Sequence, residues 1–108
     1  MTHFSVIYAG NGVVILSWRG ILTQEALFSA AEEVARRISA ARARTLALHF
    51  YPVKASKETQ DAFDSFAERI AACGVKTVRV AASDAFVRMI VSSTCLKHKL
   101  RYEFIKPL

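Results

Sequence analysis

An Asn-Gly pair, Asn11-Gly12, lies between two short runs that read as β-strands, and it limits the folds open to this chain more than any other feature. Before it, Phe4–Ala9 alternates Phe4, Val6 and Tyr8 with Ser5, Ile7 and Ala9, a period of two. After it, Val13–Arg19 is rich in β-branched and aromatic residues. A type I′ turn needs positive φ at both central positions, which Asn and Gly tolerate, so the two runs are predicted to form an antiparallel hairpin.

The rest of the chain alternates helix and strand patterns. Gly20 is expected to break the second strand, and Thr23 to cap a helix over Gln24–Ala41 by accepting from a free backbone N–H. Leu27, Ala30, Ala31, Val34, Ala35 and Ile38 make its apolar stripe, with Glu32–Arg36 and Glu33–Arg37 as i,i+4 pairs on the outer face. Thr45–Tyr51 reads as a third strand stopped by Pro52. Ser56 is placed to cap a second helix, Lys57–Cys73, which buries Phe63, Phe66, Ala67 and Ile70 and ends at Gly74. A fourth strand over Val75–Ala82 leads to a helix capped by Ser83 or Asp84 and running to about Lys99. Its inward residues are Phe86, Ile90, Val91 and Thr94, and Arg101–Ile105 closes as strand five. Strands that alternate with helices favour right-handed crossovers and a parallel sheet. The predicted class is therefore α/β, ordered β-β-α-β-α-β-α-β, with one mixed five-stranded sheet in a single domain over 1–108.

The two sheet faces are unequal. Val14, Leu16, Trp18, Leu46, Leu48, Phe50, Val78 and Val80 share one parity and make a helix-covered core. The other parity carries Ser17, Thr45, His49, Tyr51, Thr77, Arg79, Arg101 and Glu103, which is half polar and unlike a parallel sheet buried on both sides. The helices are thus expected mainly on one face, leaving an apolar corner at Ile7, Val13 and Ile15 on the other.

Composition bounds the function. The 108 residues suffice for one core. Val13–Leu16 is a typical apolar run and is far below the ~20 residues of a membrane helix, and Met1-Thr2-His3-Phe4 lacks a signal-peptide pattern. Cys73 and Cys95 show no CxxC spacing, which points to a reduced, cytoplasmic setting without metal, cofactor or disulfide. The net charge of +6 comes from fifteen Lys/Arg against nine Asp/Glu. Two basic groups, Arg36/Arg37/Arg42/Arg44 and Lys97/Lys99/Arg101/Lys106, each begin at a helix end, where the macrodipole favours cations. No aromatic residue is interleaved with them as a stacking platform, which argues against nucleic acid. Phosphate-binding glycine loops, GxSxG and paired histidines at helical spacing are all missing, so no catalytic residue is assigned and the chain is read as no enzyme.

Against that background, Trp18-Arg19-Gly20-Ile21-Leu22-Thr23 resembles the "Gly-x-Leu-Thr/Asp" helix start of STAS domains, the anti-sigma-factor-antagonist family. Val78-Arg79-Val80-Ala81-Ala82-Ser83, followed by a capped helix and Tyr102-Glu103-Phe104, resembles the last β-α-β segment of that family, and the element order agrees along the whole chain. The resemblance implies a STAS-like fold and a non-catalytic regulatory module that binds a protein. In such modules a Ser or Thr in the loop after strand three is often phosphorylated, and a related branch binds nucleotides or lipid-like ligands. Ser56 is the residue that carries over. Around it the sequence departs from the family: His49-Phe50-Tyr51-Pro52 replaces the usual strand end with Asp, and Val53-Lys54-Ala55-Ser56-Lys57 replaces Asp-Ser-Ser/Thr-Gly. The helix that usually follows the last strand is expected to be missing.

Two candidate surfaces follow. Ser56, His49, Tyr51 and Arg79 form a polar group near the carboxyl edge of the sheet, where ligands sit in open α/β sheets, and could serve as a phosphorylation site or hold a nucleotide, lipid-like or anionic metabolite. The third helix is apolar on more than one face; with the sheet corner it supplies Ile7, Val13, Ile15, Val87, Met89 and Leu96 as a candidate interface, most simply in a homodimer.

Overall fold

In the computed structural model, which describes residues 3–55 and 57–106, β1 (His3–Gly10) and β2 (Val13–Ile21) pair antiparallel around Asn11-Gly12. Asn11 has φ 53° and Gly12 φ 76°, the signs a type I′ turn requires. The Gly12 N–H donates to the Tyr8 hydroxyl at 3.2 Å, tying the turn to its own strand. The register sets Ser5 against Ser17 and Ile7 against Ile15.

The chain continues through α1 (Gln24–Ala41), β3 (Thr45–Lys54), α2 (Lys57–Ala72), β4 (Thr77–Ala81), α3 (Ala85–Lys97) and β5 (Arg101–Phe104). The five strands lie in the sheet in chain order, with β2 to β5 parallel. Each parallel step moves the same way across the sheet, and right-handed crossovers that all step one way place their helices on one face. Accordingly α1 packs on α2, and α2 on α3, as one layer.

That layer and the even-numbered strand residues make the core. Rows run across the sheet as Val14–Leu46–Val78 and Leu16–Leu48–Val80, all essentially inaccessible to solvent. Each fully buried Val or Leu contributes roughly 1.5–3 kcal/mol. All six residues of the α1 stripe are buried, as are Phe63, Phe66, Ala67 and Ile70 of α2. Helix starts are capped as their sequences require. The Thr23 side chain accepts from the Ala26 N–H at 3.2 Å, and Asp84, not Ser83, accepts from the Val87 N–H at 2.9 Å.

Several local expectations are corrected by long-range contacts. Gly20 does not end β2 and Pro52 does not end β3. The ladder pairs Trp18 with Phe50 and then Gly20 with Val53, so β3 carries one extra residue there. Gly20, at φ 95°, and Pro52, with no N–H to donate, both fit such a bulge, and the strands run on to Ile21 and Lys54. β4 begins only at Thr77, because the Val75 N–H closes the α2 terminus on the Ile70 carbonyl at 3.2 Å. Helix α3 stops at Lys97, since Lys99 takes a left-handed φ of 59°. Glu32 does not pair with Arg36. It accepts from Arg69 of α2 at 3.1 Å, while Arg36 and Arg37 share Glu33. Ser56 lies outside the described residues.

Candidate functional site

The sheet face without helices grades from apolar to charged. One row crosses all five strands as Ile7, Ile15, Ala47, Arg79 and Glu103. Ile7 is 53% exposed, while Val13 and Ile15 are half-buried. At the far end Arg79 pairs with Glu103 at 3.0 Å across β4 and β5. That ion pair turns Arg79 away from the role of a free anion ligand.

The next row places Ser5, Ser17, His49 and Ala81 together. His49 is only 8% exposed, and its ring lies 6.4 Å from the ring of Tyr51. The nearer cation is Arg19, whose guanidinium stacks over Tyr51 at 4.6 Å from the ring centroid. Arg19 was missing from the sequence-derived group because the bulge at Gly20, which sets its neighbours, is not a local signal. His49, Tyr51 and Arg19 therefore form one cluster, with Arg79 one step away along the face. Among the described residues no three of His, Cys, Asp and Glu converge as a metal site.

The helix layer carries an apolar concavity. Leu27, Phe28, Ala31, Ala62, Phe66 and Ala72 line a groove of about 470 Å³ between α1 and α2, with the Arg69–Glu32 ion pair at its rim. Small alanines open the groove. Phe28 beside it is 70% exposed, a large apolar ring with no core role. Its signal in the sequence was an aromatic residue one step off the buried stripe.

Helix α3 resolves the apolar candidates. Val87 is 1% exposed and belongs to the core, which removes it from any interface. Met89 and Leu96 lie on the outer side, 51% and 67% exposed. Between α2 and α3, Asp64 accepts from Lys97 at 3.1 Å and contacts His98 Nε2 at 2.9 Å. The hydrogen bond from His98, with Lys97 beside it, holds the Asp64 carboxyl below its ordinary range.

Comparison with known proteins now bears on this geometry. No family model matches the chain, and no curated protein matches it in sequence. Solved structures do match in shape, two of them forms of one protein. The anti-sigma factor antagonist SpoIIAA in its unphosphorylated form superposes with a TM-score of 0.64 at 12% identity, over 94% of this chain and 88% of that one. The Bacillus cell fate determinant SpoIIAA in the phosphorylated form gives 0.62 at 12% identity, over 94% and 91%. The fold is the STAS fold. In this STAS fold the parallel strands β2 to β5 all end at the edge where α1, α2 and α3 begin. His49, Tyr51 and Arg19 stand near that edge on the helix-free side, and the α1–α2 groove opens on the other. No helix among the described residues is long and apolar enough to cross a membrane.

Proposed function

We propose that this chain is a non-catalytic regulatory module that works by binding another protein, in the cytoplasm and as a homodimer. The observation that carries the reading is the α1–α2 groove with Phe28 beside it. A ring exposed to this degree next to an apolar concavity has the make-up of an interface centre, where aromatic anchors carry most of the binding energy. Support also comes from the two similar structures, an anti-sigma factor antagonist and a cell fate determinant in unphosphorylated and phosphorylated forms.

The test is site-specific photocrosslinking in cells, with benzoyl-phenylalanine in place of Phe28 and, as a control, in place of the exposed Lys76. The expected result is a discrete protein adduct at position 28 that position 76 does not give. Adducts at neither position, or the same adducts at both, would overturn the placement of the partner.

A further inference from the structure

The two edges of the sheet are built differently. β5 is a short edge of four residues, Arg101–Phe104, with Arg101 and Glu103 exposed and Lys106 just beyond it. Charges and brevity of this kind are how proteins keep an edge from pairing. β1 is eight residues long, His3–Gly10, with no proline and no Lys, Arg, Asp or Glu. Nothing among the described residues pairs with its outer side. The lack of charge extends further. All fifteen Lys/Arg and nine Asp/Glu lie after Trp18, so β1, the turn and β2 as far as Trp18 carry no charged residue in a chain of net charge +6, and Arg19 near the end of β2 is the one charge of the hairpin.

These facts select an occupant. Two copies of a cationic protein repel each other at most approaches, and the β1 edge, without Lys, Arg, Asp or Glu of its own, is the side on which like charges meet least. A strand that pairs antiparallel with itself about a two-fold axis closes the assembly at two copies, whereas β1 on β5 would propagate head to tail and would bury the charges of β5. We infer that the chain dimerises through β1, pairing antiparallel with β1 of a second copy to make one continuous ten-stranded sheet, with Ile7 opposite Ile7. That register joins Ile15 and Ile7 of both copies in a single apolar row on the helix-free face, since Ile7 and Ile15 are already neighbours across β1 and β2. The seam leaves the α1–α2 groove free. The inference rests on the homodimeric part of the reading above and specifies where the copies meet.

Light scattering on the purified chain, across a dilution series, tests both levels. The expected mass is twice the 12.0 kDa of the chain. Ile7→Lys, at an exposed position that the fold does not need, is expected to weaken association at least tenfold with an unchanged circular dichroism spectrum. Met89→Lys is expected to leave it unchanged. Mild oxidation of Ile7→Cys is expected to give a covalent dimer that the parent, with only Cys73 and Cys95, does not form. A parent that is monomeric throughout would overturn the homodimer and the edge pairing together. A dimer that survives Ile7→Lys and gives no Ile7→Cys cross-link would overturn the edge pairing alone.

Discussion

Truncating Val87 and Leu96 to alanine, one at a time, asks which side of α3 the protein buries. Val87 is 1% exposed under the helix, against the core that includes Ile90 and Val91. Val87→Ala removes two methyl equivalents, about 1.5 kcal/mol of transfer free energy at ~0.8 kcal/mol each. The space left behind adds ~24 cal/mol per Å³ to the extent that neighbours do not relax, so the expected loss is about 2 kcal/mol. Against a total stability on the order of 5–15 kcal/mol this is a large change, and it corresponds to a fall in Tm of roughly 10 °C for a domain of this size. Leu96→Ala is chemically the larger truncation, yet Leu96 is 67% exposed and the cost should stay within about 0.5 kcal/mol. Urea unfolding followed by circular dichroism, at two protein concentrations tenfold apart, measures both and separates any contribution from association. Equal costs, or a larger cost for Leu96, would mean that α3 is seated on a different face and that Met89 and Leu96 are not open to a partner.

Three further outcomes are expected. Asp64 has its folded pKa depressed by His98 and then Lys97, so its contribution is present above the unfolded value near ~4 and is lost as pH falls through the folded one. Asp64→Asn should therefore cost about 0.5–1 kcal/mol at pH 7 and almost nothing in acid, below the folded pKa; a cost independent of pH in urea titrations would contradict this. Arg42, the cap of α1, holds φ 53° while its N–H already bonds the Ile38 and Ser39 carbonyls, so Arg42→Gly should raise stability by about 1 kcal/mol in the same assay. Burial pushes the Cys95 thiol up to about 11 and also raises that of Cys73, whose Sγ donates to the Ile70 carbonyl. A thiol-specific dye at pH 8 should label Cys73 slowly and Cys95 only after denaturation; rapid labelling of both in the folded protein would refute the burial.

Stability and function draw on different parts of this surface. The core rows Val14–Leu46–Val78 and Leu16–Leu48–Val80 need nothing from the helix-free face, so Ile7, Ile15 and Tyr51 can be chosen for what they touch outside the fold. The helix layer works the same way, with Leu27 and Ala31 committed inward and Phe28 left to solvent.

Local physics made much of this legible in advance. The Asn11-Gly12 turn, the α1 stripe and the Thr23 cap are decided by residues within four positions of one another, so the sequence alone was enough, while for α3 it narrowed the cap to Ser83 or Asp84. The half-polar parity of the second sheet face was also enough to put the helices mainly on the other. Ser56, the residue carried over by resemblance, lies outside the described residues. Tertiary structure decided the rest, because the deciding partners are far apart in the chain. Pairing with β2 lets β3 continue through Pro52 as a bulge, Arg69 takes Glu32 from Arg36, and Arg19 reaches Tyr51 across two strands. The seating of α3 belongs with these. Apolar residues on more than one side of it gave local periodicity no preferred face, and only docking on the sheet and α2 could bury Val87 and leave Met89 and Leu96 outside.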